Sequence, residues 1–188
     1  MAGCQSTGWR YRYRFSDSSA LRPRWLEHFT KWHNQSPTFP NARYVAHESD
    51  WDAFNTPRDS EIFGFDRWSD TVAPLREAGV LDLVSGDTEL TAQLTITPPP
   101  GHTPASMSMI IDSCSEKAYI VGNVFHGPAQ VTETDWVFRF DTDSSQAAQT
   151  RGNMLDRAQH DNAAIAICHH SGFGRVIMER GRRYWQEF

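Results

Sequence analysis

The chain has 188 residues, 39% of them apolar, with seven Trp, eleven Phe and five Tyr, enough to close one hydrophobic core and too aromatic for a disordered chain. Its net charge of −5 arises from 23 acidic and 18 basic residues that are interspersed, which leaves no basic stripe of the kind nucleic acid or an anionic membrane requires. Cys4, Cys114 and Cys168 are widely spaced and form no CxxC, arguing against a disulfide framework or a thiolate zinc site; no apolar run approaches a membrane span and the first 15 residues lack an apolar leader, so the expectation is a cytoplasmic protein.

In chain order, Leu21, Trp25, Phe29 and Trp32 share one face of a helix expected over 17–33, with Pro23 in its first turn. Residues 41–47 read as a short strand and 48–54 as a short helix. Residues 69–79 read as a second helix, capped by Ser69 or Asp70 and stopped by Gly79. The stretch 80–97 reads as two strands around the Gly86-Asp87 turn, and 105–123 as a hairpin turning within "DSCSEK". Asp143 caps a helix running to about residue 159 that buries Ala147, Met154, Leu155 and Ala158. Residues 162–168 form a fully buried strand and 174–188 a closing hairpin. There is no internal repeat, low-complexity tract or linker.

One stretch is built unlike the rest. In "TPPPGHTPASMSMII" (97–111), Pro98, Pro99 and Pro100 fix the backbone and Gly101 permits a tight turn, so a stiff arm presents one imidazole, His102. Taken alone, a rigid turn with an exposed histidine accounts for it equally well. Two other strand ends also deliver polar groups: Asn123 follows "KAYIVG", and His169 and His170 follow "AAIAIC". Polar side chains at the ends of adjacent strands meet at one sheet rim, where binding and catalytic sites are commonly built.

From residue 37 onward the chain resembles the metallo-β-lactamase superfamily, in its lactonase-like and organophosphate-hydrolase-like branch. The motifs that carry the resemblance are, in order, "FPNARYVAHESDW", "VAPLREAGVLDLVSGD", "TPPPGHTPAS", "IVGNVFHGPAQV", "FDTDSSQAAQTR" and "HHSGFGRV". The resemblance implies an α/β fold, a partial αββα sandwich lacking its N-terminal strands, with 1–36 an atypical segment and 37–188 the C-terminal portion of the fold. It also implies two metal ions, usually zinc, and a small-molecule substrate such as a lactone or ester attacked by metal-activated water.

Carried over residue by residue, His102 and His169 match metal-binding histidines, and Asn123 stands where the family has the aspartate that bridges both metals. His126 matches a histidine just beyond that carboxylate, which implies a supporting or substrate-pocket role, while an exposed loop histidine accounts for it equally well. Ser106 replaces a second histidine of the Gly-His-Thr-Pro turn, and His170 replaces an aromatic or aliphatic residue. The family's His-x-His-x-Asp-His motif is absent from this sequence. Zinc hydrolysis needs about three protein ligands and an open position, and a neutral amide compensates no cation charge, so zinc binding is expected to be weak. Two functions follow: an impaired or inactive metal-dependent hydrolase, or a non-catalytic remnant with a binding or structural role. The lost layer also implies an exposed sheet face and self-association.

Overall fold

The computed structural model describes residues 13–15, 37–39, 41–54 and 72–188. The helix expected over 17–33 and the caps expected at Ser69 and Asp70 lie outside them. Two sheets pack face to face between helices.

The smaller sheet is parallel, in the order β1 (Tyr13–Phe15), β2 (Arg43–His47) and β3 (Leu81–Val84). Three residues of the 1–36 segment therefore join this layer. β2 is buried on both sides because alternate residues serve two cores. Tyr44 and Ala46 pack with Leu75 and Leu81 beside the helices α1 (Glu48–Phe54) and α2 (Ala73–Glu77), while Val45 packs with Ile96 and Met107 between the sheets. α2 begins at Val72 with Pro74 in its first turn, a position where a proline's missing N–H costs nothing, and Gly79 ends it at φ +69°.

The larger sheet has seven strands in the order β10-β9-β8-β7-β6-β5-β4: β4 (Thr88–Thr91), β5 (Leu94–Thr97), β6 (Ser108–Ser113), β7 (Glu116–Ile120), β8 (Ala164–Ala166), β9 (Gly174–Glu179) and β10 (Arg182–Glu187). The expected hairpin at Gly86-Asp87 is not one: β3 pairs with β2 in the small sheet, and the chain then crosses to the large sheet, where β4 and β5 make the hairpin. The hairpin between β6 and β7 forms as expected, with Cys114 and Ser115 both at positive φ, as a tight two-residue turn demands. Cys114 is disulfide-bonded, against the expectation from cysteine spacing, and Cys168 is in no disulfide.

Register assigns the faces of this sheet. Ile96, Met109 and Ile120 are cross-strand neighbours on the side of the small sheet; Ile110, Tyr119 and Ile165 point the other way. The second face is covered by α4 (Ser144–His160), whose Met154, Leu155 and Ala158 complete the principal core. Asp143 caps α4 by accepting from Gln146 N–H at 2.9 Å. β7 and β8 are parallel, so a right-sized crossover of some forty residues joins them, containing a 3-10 turn (Gly122–Val124), α3 (Ala129–Thr132) and α4. β5, β7 and β8 all run in the same direction and their carboxyl ends share one rim. No helix among the described residues is long and apolar enough to cross a membrane.

Candidate metal centre

The proline arm docks on the start of α4. Gly101 has φ +132°, and its carbonyl accepts from Asp143 N–H at 2.9 Å and Thr142 Oγ1 at 3.0 Å; Thr150 Oγ1 caps the Pro100 carbonyl at 2.6 Å. The histidine that follows is therefore fixed by the helix it abuts. His102 is buried, and its Nδ1 donates to Asp141 Oδ1 at 2.9 Å, leaving the lone pair of Nε2 available to a metal ion.

The Asp141 side chain is out of solvent yet held ionised. Burial alone would raise its pKa, but the hydrogen bonds from His102 and Phe138 N–H and the nearby Arg151 guanidinium outweigh it and bring the carboxyl below its ordinary value. Arg151 is itself buried, 3.7 Å from Asp141, and donates to the carbonyls of Thr134 at 2.7 Å and Trp136 at 3.0 Å. An Arg in that position is satisfied by two carbonyls and a carboxylate, the condition under which burying a guanidinium is tolerable.

His126 meets His102 edge-on at 4.7 Å between ring centroids and stacks on Phe138 at 3.6 Å. Both of its ring nitrogens are out of solvent without a hydrogen-bond partner. Burial, above all, pushes its pKa down to about 3, so the ring is neutral and one nitrogen offers a free lone pair. One donor atom each from His102, His126 and Asp141 lie within 4.8 Å of one another. Two ligands on one tetrahedral zinc stand about 3.3 Å apart, so small side-chain rotations would close this group on an ion. Asp141, however, has one oxygen engaged by His102 and the other by Phe138 N–H at 3.1 Å, which makes it the support of His102 rather than a third ligand.

Five of the six residues singled out in the sequence converge here. His102, Ser106 and Asn123 line one narrow crevice with Pro99, Pro100 and Val124. His126 adjoins it, and His169, at φ +63°, lies with its ring 5.9 Å from that of His126. His170 does not join them; it packs edge-on against Trp185 at 4.8 Å. Ser106 is turned into the loop, bonded to Thr103 N–H at 3.0 Å and to Thr103 Oγ1 at 2.9 Å. Asp141, Arg151, Phe138 and Asp50 were not singled out, although "FDTD" and "ESDW" lie within motifs quoted above.

No protein-family model matches the chain, and no curated protein matches it in sequence. Solved structures do match it. AidC, a dizinc quorum-quenching lactonase in complex with the product N-hexanoyl-L-homoserine, superposes with a TM-score of 0.73 at 19% identity, over 94% of this chain and 64% of that one. The hydrolase AbOPH of the β-lactamase superfamily gives 0.76 at 17% identity, over 90% and 62%. A probable metal-dependent hydrolase from Staphylococcus aureus gives 0.69 at 18% identity, over 85% and 57%. The chain adopts the metallo-β-lactamase fold and spans about three-fifths of the length of these structures.

Proposed function

We propose that this chain carries part of a metal-dependent hydrolase site of the lactonase type, able to hold one divalent cation weakly and impaired in hydrolysis as it stands. The observation that supports it best is His126, a neutral half-buried imidazole with two solvent-shielded, unpartnered nitrogens beside a histidine whose other nitrogen is tied to a carboxylate. Leaving such a group unsatisfied costs about 1–3 kcal/mol, and coordination is the interaction that fits an aromatic-lined site with no nearby hydrogen-bond partner. His102 and His126 would hold the ion, with Asn123 and His169 at its margin.

A bound cation would supply Lewis-acid polarisation of a substrate carbonyl. The chain's own residues supply the rest. Asp141 fixes the tautomer of His102, Phe138 fixes the plane of His126, and the loop that carries Phe138 exposes Trp136, Val137 and Phe140. Those apolar side chains suit a small neutral substrate with an apolar part, such as an ester or lactone. Two imidazoles fall short of the three protein ligands a zinc hydrolase uses, and Asn123 adds no charge. Elemental analysis after exhaustive dialysis should therefore find less than one zinc per chain, with lactone turnover at background. Close to two tightly held zinc ions, or chelator-sensitive turnover, would refute the proposal.

A further inference from the structure

We propose that Asp50 is a positioning residue for His102, acting from the opposite layer of the fold; this rests on the reading of His102 as a metal-holding imidazole. Asp50 lies in the first turn of α1 and is 2% exposed. Nothing in that position calls for burial of a carboxylate, since a helix N-terminus is served as well by an exposed one. Its two oxygens are directed instead at the turn that follows His102. Oδ1 accepts from Ala105 N–H at 2.9 Å and Oδ2 from Thr103 Oγ1 at 3.0 Å.

Asp50 accepts in both of these bonds, and this sets the direction of the others in the turn. The Thr103 hydroxyl proton is committed to Asp50, so in the 2.9 Å contact between Thr103 and Ser106 the hydroxyl of Ser106 is the donor. Ser106 Oγ in turn accepts from Thr103 N–H at 3.0 Å. The polar atoms of residues 103–106 thus form a closed set that begins at Asp50. On its other side, His102 is held by its carbonyl, which accepts from Thr142 N–H at 3.1 Å, and by Asp141 on its ring. His102 is therefore clamped between the loop leading into α4 and a carboxylate delivered by the small-sheet layer. An asparagine at 50 keeps one acceptor for Ala105 N–H but turns its amide N–H₂ toward the Thr103 hydroxyl, which would have to swing its proton to Ser106 and reverse the bonds of the turn, loosening one end of the clamp.

The test uses the full chain with cobalt(II) as the probe. Asp50→Asn should weaken cobalt binding 10–100-fold while leaving a single cooperative urea transition, the loss typical of removing a group that orients a metal ligand. Thr103→Val should reproduce the loss and Thr103→Ser should not; these two carry the comparison if Asp50→Asn does not fold. A merely structural role predicts lowered unfolding midpoints with cobalt affinity within twofold of wild type, and that result would overturn the inference. If the wild-type chain takes up no cobalt, the reading of the metal site fails, and the ring ¹⁵N signals of His102 in metal-free protein decide on Asp50. One Nδ1–H tautomer in wild type that becomes a mixture in Asp50→Asn supports the role, and unchanged signals overturn it.

Discussion

Gly101→Ala should be among the most damaging single substitutions in the chain, because two separate effects fall on one methyl group. At φ +132° an L-residue is strained by about 1–3 kcal/mol. The new Cβ would also stand 2.9 Å from the Ala147 side chain and closer still to that residue's backbone, in the first turns of α4. Backbone on both sides leaves no flexible group to yield, so the arm and the helix must separate, at the expense of the bonds from Asp143 N–H and Thr142 Oγ1 to the Gly101 carbonyl. Strain and these two bonds amount to about 2–6 kcal/mol. For a chain of this length that is a fall in Tm of roughly 5–20 °C. Urea and thermal unfolding followed by circular dichroism would measure it, with Gly152→Ala as the control. Gly152 lies within α4 with open space where its Cβ would be, so alanine there should stabilise by roughly 0.5–1 kcal/mol. A loss at Gly101 below about 0.5 kcal/mol would show that the arm is not seated on the helix as described.

Other substitutions test the remaining parts. In chelator-treated protein His126→Phe should leave stability unchanged or raised, since the ring still stacks on Phe138 and two unpartnered nitrogens are removed, while cobalt binding is lost; destabilisation by more than about 1 kcal/mol would mean the nitrogens have partners in solution. Asn123→Asp alone should restore no lactone hydrolysis, because the carboxylate adds charge but no histidine, and a chelator-sensitive rate in that variant would show the ligands to be misassigned. Tyr119→Phe should cost about 1–3 kcal/mol at pH 7 by removing the hydrogen bond to ionised Asp161. Burial, followed by that bond, pushes the Tyr119 phenol up to about 12, above its unfolded value near 10, so its stabilisation is complete below pH 10 and is lost as pH climbs toward 12. Wild type and Tyr119→Phe should therefore converge in stability over that window, and parallel profiles would refute the assignment. Finally, Met109, Ile111 and Ile120, on the face of the large sheet toward the small one, stay only half-buried. Sedimentation should accordingly show self-association, and a compact monomer at all concentrations would count against it.

What could be read from the sequence was whatever local chemistry determines. Pro98 to Gly101 announce a stiff turn around His102, and Asp143 followed by a helical pattern announces a cap, because each residue acts within its own few neighbours. The turn at Gly86-Asp87 misled for the same reason. Its composition suits a hairpin, but whether β3 pairs with β4 or with β2 is settled by which core each strand must fill, and β3 fills the one beneath α1 and α2. Asp50 and Asp141 were invisible as site residues. One reads as a first-turn acid on an amphipathic helix and the other as a loop acid. Their partners lie 53, 55 and 39 residues away, and no short-range spacing encodes those distances. His126 was quoted within its motif, but two unpartnered nitrogens are a property of packing alone.

Arg151 gives the loop that precedes α4 an unusual standing. Residues 134–141 have little regular structure, yet one buried guanidinium fastens the carbonyls of Thr134 and Trp136 to the body of the helix, and Gln130 Nε2 takes the Trp136 carbonyl from the other side at 3.0 Å. The segment is thus attached at two points by its backbone, while the side chains of Trp136, Val137 and Phe140 lie exposed. A loop joined in this way behaves as an interchangeable cassette. Exchanging its exposed side chains should re-shape what the rim accepts without disturbing α4, whereas Arg151→Met would unfasten the whole cassette and carry Phe138 away from His126.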